Sequence, residues 1–312
     1  MTSRTIIFFG NERLATGVET RLPVLSALIA NGYQVAAIVV APQKPLPRSR
    51  KTRPLEVVGF AQHNNVPLLE LESLKASVGP LSKFNATAAI LAAYGKIVPQ
   101  TVIDIFPKGI INIHPSLLPS HRGPTPIESV ILNDERRTGV SLMQLSAAMD
   151  AGPIFDQTVI ELNGSESKSY LANTLGNLGA DLLIKHLPAI IDGRLTAKPQ
   201  PSNPVSYDSK ILSDQSKLDF NKSAEVLARE IRAYLGWPRS RSEINSKGVI
   251  ITAAHAINPP LKKPLTAGKL WTLDRLQLGI ATSKGILEID SLIPSGGKEM
   301  SGAEYLRGYL AL

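Results

Sequence analysis

The chain has 312 residues, 43% of them hydrophobic, with 34 basic against 26 acidic residues and a formal charge of +8, which gives room for two domains and favours a polyanionic partner. The absence of cysteine excludes disulfides, thiolate metal sites and cysteine nucleophiles. No apolar run approaches the roughly 18 residues of a membrane span, and residues 1–10 read as an opening strand rather than a cleavable signal, so the expected home is cytoplasmic, with no membrane partner.

In chain order, residues 5–9 are a continuous apolar, β-rich run closed by Gly10, residues 23–30 read as a helix stopped by Asn31-Gly32, and residues 34–41 as a second buried strand. Strand, helix, strand with unalternating apolar strands predicts a parallel sheet covered on both faces. A dinucleotide fingerprint needs several glycines after its first strand, and Gly10 alone argues against a nicotinamide enzyme. Residues 42–53 (PQKPLPRSRKTR) carry Lys44, Arg48, Arg50, Lys51 and Arg53 without an acid. That run is either a solvated loop or a concentrated positive field beside the edge where open α/β sheets bind ligands. A helix over 54–64, a third buried strand over 86–92, a turn at Tyr94-Gly95 and a helix from near Pro99 follow.

The next apolar run, residues 109–113, delivers Asn112 and His114 two residues apart. Such residues share a face of a strand, so both point into one space at its end, and Pro115 and Pro119 then force the chain to turn. A strand-end Asn and His can also simply bond nearby backbone. Residues 126–132 read as a helix, 138–145 as a strand, Asp150-Ala151-Gly152-Pro153 as a turn, 154–161 as an antiparallel strand, and 167–191 as a helix interrupted near Pro188 and ended by Gly193. Pro199, Pro201 and Pro204 mark residues 196–207 as the linker between domains spanning 1–195 and 208–312. Beyond it, residues 223–234 form an amphipathic pattern, and short β-rich runs at 248–253, 276–281 and 285–289 predict a small β-barrel. Residues 205–312 carry +4, half of the positive excess.

The segment Asn112-x-His114-x-Ser116-Leu117-Leu118-Pro119, followed by Arg122-Gly123 and then Asp150-x-Gly152, resembles the formyltransferases that use 10-formyltetrahydrofolate. Gly123-x-x-Pro126-Ile127, the basic insertion at 42–53 and the β-rich C-terminal region are similar to the members of that family that act on methionyl-tRNA. The similarity runs nearly end to end, through Ala93-Tyr94-Gly95 and Pro294-x-Gly296. It implies an α/β, Rossmann-like, mostly parallel catalytic domain with a smaller OB-like β-barrel domain. It also implies a monomer that transfers formyl from 10-formyltetrahydrofolate, a cosubstrate, to the amino group of initiator methionyl-tRNA without a metal. The roles that follow are catalysis for Asn112, His114 and Asp150. Ser116, Leu117, Leu118 and Pro119 become a stiff loop against the pterin, with Leu91 and Tyr94 as the opposite wall. Lys44, Arg48, Arg50, Lys51 and Arg53 become tRNA contacts, aided by the C-terminal domain.

The chemistry agrees with that assignment. An amine adding to a formyl carbonyl forms a tetrahedral oxyanion, which needs a positioned donor and a group to manage the amine's proton. Asn112 offers an N–H without ionising, and His114 can donate or relay a proton. Two positions depart from the family: Phe8-Phe9-Gly10-Asn11-Glu12 stands where Phe-x-Gly-Thr-Pro is usual, and His121 where the residue before Arg122 is often aromatic. Two rival readings remain. A formyltransferase for a small amine such as glycinamide ribonucleotide would lack the second domain; an amino sugar nucleotide is the other small acceptor. A non-catalytic RNA-binding protein leaves Asn112, His114 and Asp150 unexplained.

Overall fold

The computed structural model describes residues 4–42, 55–202, 204–260, 265–273 and 276–310; Lys44, Arg48, Arg50, Lys51 and Arg53 lie outside the described residues. Two compact units divide the chain. One comprises Met1–Ile127, Arg136–Leu162 and Ser169–Ser209, the other Glu128–Glu135, Asn163–Lys168 and Lys210–Leu312.

In the first unit β1 (Thr5–Gly10), β2 (Gln34–Val40), β3 (Leu68–Glu70), β4 (Ala88–Ala92) and β5 (Ile110–His114) pair in parallel in the order β3-β2-β1-β4-β5. Strands β6 (Arg137–Gln144) and β7 (Ile154–Glu161) extend that sheet antiparallel beyond β5. Helices α1 (Pro23–Ala30), α2 (Glu56–His63), α3 (Val78–Ser82) and α4 (Gln100–Ile103) lie between the parallel strands, while α5 (Pro126–Leu132) and α6 (Lys168–Ile191) follow β5 and β7. Every residue of β4 and β5 is buried, as expected for strands covered on both faces and therefore lacking polar alternation. Helix α6 runs on through Pro188 to Ile191 instead of breaking there. Leu183, Leu187, Ile190 and Ile191 are all buried, and their packing outweighs the one hydrogen bond that proline removes.

The departure at Asn11-Glu12 has a structural role. Helix α1 starts at Pro23 after Leu22, which offers no side-chain cap. Glu12 replaces the cap from a distance: its Oε2 accepts from Val24 N at 2.8 Å and its Oε1 from Leu25 N at 2.9 Å, and Thr20 Oγ1 donates to its carbonyl at 2.7 Å. A carboxylate there satisfies two orphan N–H groups and faces the positive end of the helix dipole. Glu12 is only 1% exposed, and burial pushes its carboxyl up to about 7 despite those two bonds.

In the second unit β8 (Ser240–Ile244), β9 (Lys247–Ile257), β10 (Leu270–Leu273), β11 (Gln277–Ala281) and β12 (Ile286–Pro294) pair antiparallel in the order β10-β11-β12-β9-β8, and β13 (Met300–Ser301) adds to β12. Among the described residues that pairing path is open between β10 and β8. Helices α7 (Ala224–Ala233) and α8 (Gly302–Tyr309) close its core through Leu227, Ile231, Tyr305 and Leu306, set against Leu278, Leu287 and Leu292. Two short segments from earlier in the chain belong to this unit and make polar contacts within it. Lys168, fully buried, lies 3.5 Å from Glu128 and donates to Trp237 O at 3.2 Å. Arg232 donates to Gly164 O at 2.9 Å, and Arg229 lies 3.3 Å from Asp134.

Within residues 196–207, read from their prolines as a linker, two described positions are bonded to the first unit: Lys198 exchanges backbone hydrogen bonds with Ile154, and Tyr207 bridges Arg122. Proline lacks a donor but keeps its carbonyl, and the residues between prolines keep both groups, so a proline-rich run can still be pinned. No helix among the described residues is long and apolar enough to cross a membrane.

Candidate active site

Strand β5 ends beside β4, with Asn112 level with Leu91, and beside β6, with His114 opposite Ser141. Asn112 and His114 share the face predicted from their spacing, and each is 5% exposed. The Asn112 carboxamide makes no hydrogen bond to another described residue, which leaves two N–H donors and a carbonyl uncommitted beside the histidine.

His114 is held by one ring nitrogen. Its Nε2 lies 2.8 Å from the carbonyl oxygen of His121, and because a carbonyl can only accept, Nε2 carries the proton. In the neutral ring Nδ1 then bears the lone pair. That nitrogen faces Asp150 Oδ1 at 3.9 Å, beyond direct hydrogen-bond range, with the two side chains 6% and 16% exposed. The hairpin loop between β6 and β7 brings Asp150 to this position, with its backbone at φ +47°. Gly123 N–H donates to Asp150 Oδ2 at 2.8 Å, so one carboxylate oxygen is fixed while the other faces the imidazole. Both glycines of the motif are obligatory for this geometry. A Cβ on Gly123 would fall 2.4 Å from Asp208 O, and one on Gly152 would fall 1.9 Å from Gln144 O.

The turn after β5 is fixed by residues that sequence reasoning missed. Ser141 Oγ donates to Ser116 O at 2.6 Å and accepts from Leu118 N at 3.0 Å. Gln157 Nε2 donates to Leu118 O at 2.9 Å and to Ser141 Oγ at 2.7 Å. Ser141 had a readable signal, a polar residue among apolar neighbours in a buried strand; Gln157 had none. Gln200, in the proline-rich run, accepts from Arg122 Nη2 at 2.7 Å and donates to the carbonyls of Asp150 at 2.8 Å and Gly152 at 2.7 Å. Arg122 also donates to the Tyr207 hydroxyl at 2.8 Å.

The residues expected to hold the pterin are placed less openly. Ser116 is fully buried and donates to Ser120 O at 2.8 Å, Leu118 is 3% exposed, Pro119 is buried after a cis peptide bond, and Leu117 is half-buried. Leu91 and Tyr94 lie in the apolar core with Ile7, Phe9 and Phe106, the Tyr94 ring edge-on to Phe9 at 5.5 Å. Burial pushes the Tyr94 hydroxyl up to about 12.

A carboxamide, an imidazole whose Nδ1 faces a carboxylate, and an open mostly parallel sheet define an enzyme of carbonyl-group transfer, equipped to bind an oxyanion and take a proton. The family model described as "Formyl transferase" matches residues 14–187, and that described as "Formyl transferase, C-terminal domain" matches residues 210–310. The chain belongs to the formyl transferase family. It is 33% identical over 304 residues to the methionyl-tRNA formyltransferase of Halorhodospira halophila, covering 97% of this chain and 96% of the relative. It is 33% identical over 307 residues to the enzyme of the same name from Chloroflexus aurantiacus, with the same coverage. Among solved structures, HypX from Aquifex aeolicus in complex with tetrahydrofolic acid has a TM-score of 0.67 at 17% identity, over 99% of this chain and 48% of that one. The N-formyltransferase from Helicobacter canadensis, in complex with folinic acid and dTDP-3-aminofucose, has a TM-score of 0.64 at 19% identity, over 96% of this chain and 100% of that one.

Proposed function

We propose that this chain transfers the formyl group of 10-formyltetrahydrofolate to the amino group of initiator methionyl-tRNA, acting as a cytoplasmic monomer. The observation that carries the reading is the arrangement of Asn112, His114 and Asp150 at the end of β5, in a chain similar over nearly its full length to methionyl-tRNA formyltransferases.

The amine lone pair attacks the formyl carbon, and the carbonyl electrons move onto oxygen. Asn112 donates its uncommitted N–H to that oxyanion, strengthening as the charge forms. The nitrogen, now cationic, passes its proton to His114 Nδ1, whose lone pair is kept available by the Nε2–H bond to His121 O. Asp150 stands opposite the resulting imidazolium. The bond from carbon to the folate nitrogen then breaks, that nitrogen keeps the electron pair, and the proton on Nδ1 goes to it. In this reading the turn 116–119 supports the pterin through Leu117, half-buried, and Leu118, buried.

The test is incubation with 10-formyltetrahydrofolate and charged initiator tRNA, followed by deacylation and assay for formylmethionine. Formylation of an amino sugar nucleotide with none of methionyl-tRNA would sink the proposal in favour of a small-amine acceptor.

A further inference from the structure

His121 and Asp208 form a buried pair beside the site to which the proposed formyl chemistry gives no side-chain role. The His121 ring lies 3.0 Å from Asp208 Oδ2 and 3.2 Å from Oδ1 through Nδ1, and the two side chains are 9% and 10% exposed. The backbone around them is tied as tightly. His121 N donates to Ser206 Oγ at 2.8 Å, Arg122 N to Ser206 O at 3.0 Å, and Asp208 N to Arg122 O at 2.7 Å. His121 sits at φ +59°, a left-handed conformation uncommon for a residue with a Cβ, so this geometry is imposed by its surroundings. The carbonyl so held is the one that accepts from His114 Nε2.

We infer that Asp208 is a positioning residue for formyl transfer: through the His121 ring it holds the His121 carbonyl where it selects the Nε2–H tautomer of His114 and leaves Nδ1 bare toward Asp150. The inference rests on the proposed role of His114 as the base. Its logic is that of a histidine ligand or base, whose working nitrogen is set by the hydrogen bond that the other nitrogen makes. Here that partner is a backbone carbonyl, which has no side chain to replace and must be fixed through its neighbours. The segment 206–208 supplies the fixing groups from two sides, a carboxylate on the ring and a hydroxyl on the N–H.

The test uses the full chain with 15N-labelled histidine. Long-range proton–nitrogen correlation spectra distinguish a protonated from a bare ring nitrogen, and the five histidines are assigned by single replacements. Wild type is expected to show His114 as the Nε2–H tautomer. Asp208→Ala should give a mixture of tautomers and lower kcat by roughly tenfold to a hundredfold, the loss typical when the partner orienting a functional histidine is removed. KM for the formyl donor should stay unchanged. Asp208→Asn, which keeps an acceptor oxygen for the ring, should restore both signals. Ser206→Ala should shift the tautomer in the same direction by less, which covers the case of an Asp208→Ala chain that fails to fold. A wild-type-like His114 spectrum in both Asp208→Ala and Ser206→Ala overturns the inference, as does a loss of kcat without a change of tautomer. Failure of the wild-type protein to formylate any amine would instead overturn the functional reading, while the spectra would still decide the tautomer.

Discussion

Asn112, His114 and Glu12 show what single residues disclose and conceal. The strand period alone placed Asn112 and His114 on one face, because a two-residue spacing in a strand has one geometric consequence. The partner of His114 followed from the motif, whereas its 3.9 Å approach depends on a hairpin loop and a Gly123 N–H that no local pattern contains. Replacing Asn112 with Ala should lower kcat by about 10²–10³-fold, or about 2.7–4 kcal/mol, in a single-turnover formylation assay while leaving the unfolding midpoint nearly unchanged. Turnover near the wild-type rate would remove Asn112 from the oxyanion role. Glu12 was illegible, since a cap supplied from outside its helix leaves no capping pattern at Leu22 or Pro23. Its folded value of about 7 lies above the unfolded carboxyl at 4.5, so the folded state holds the proton more tightly. Its contribution to stability is therefore fully present below pH 4.5 and is lost as pH rises through 7, by on the order of 3 kcal/mol. Urea unfolding of Glu12→Gln across pH 4.5–7 should show a flatter dependence than wild type; equal slopes would mean that Glu12 does not titrate in this window.

At the scale of elements, legibility followed length and burial. Strands β1, β2, β4 and β5 were readable because a strand covered on both faces is a continuous apolar run. Strand β3 has three residues, too few for any period, and β8, SRSEI, buries only its first and last residues. Helix α8 did announce itself through Ser301 and Glu304, whose side chains form a reciprocal cap with the backbone, but that signal stood in a region read only for strands. The turn after β5 is held by backbone partners that the motif does not contain. Leu118 is conspicuous in the sequence, yet its N–H and carbonyl are consumed by Ser141 and Gln157 and its side chain is buried. Ser141→Ala should therefore leave Leu118 N–H and Ser116 O without their partner, destabilising the protein by about 1–3 kcal/mol per unpaired group in denaturant titrations. An unchanged midpoint would show that the turn is held by its prolines instead. Replacing Leu117, half-buried, tests donor binding; replacing Leu118, buried, tests donor binding and packing together.

For the whole molecule, the sequence separated an α/β part from a β-rich part, but the units are not consecutive stretches of chain. Residues 128–135 and 163–168 belong to the second unit, where a buried lysine, two arginines and their partners meet, and polar pairing across such distances leaves no periodic trace. Lys168→Ala should cost about 3–5 kcal/mol by removing one member of the buried Lys168–Glu128 pair, and the double replacement with Glu128→Gln should recover part of that; no recovery would mean that the loss is one of packing alone. Net charge carries the last expectation, since the five cations of residues 42–53 and the net +4 of residues 205–312 are positive excess that the proposed roles of Asn112, His114 and Asp150 do not call on. If they hold an acceptor-end single strand, methionyl-tRNA binding should weaken with salt at a log-log slope of roughly −0.7 per phosphate contact, because each contact releases condensed counterions. Neutralising Arg48, Arg50 and Lys51 together should then flatten the slope by about 2 and leave affinity for a folate analogue untouched. A triple variant that formylates methionyl-tRNA at the wild-type rate with the wild-type salt dependence would return this run to the role of a solvated surface, and would leave recognition of the acceptor to residues elsewhere in the chain.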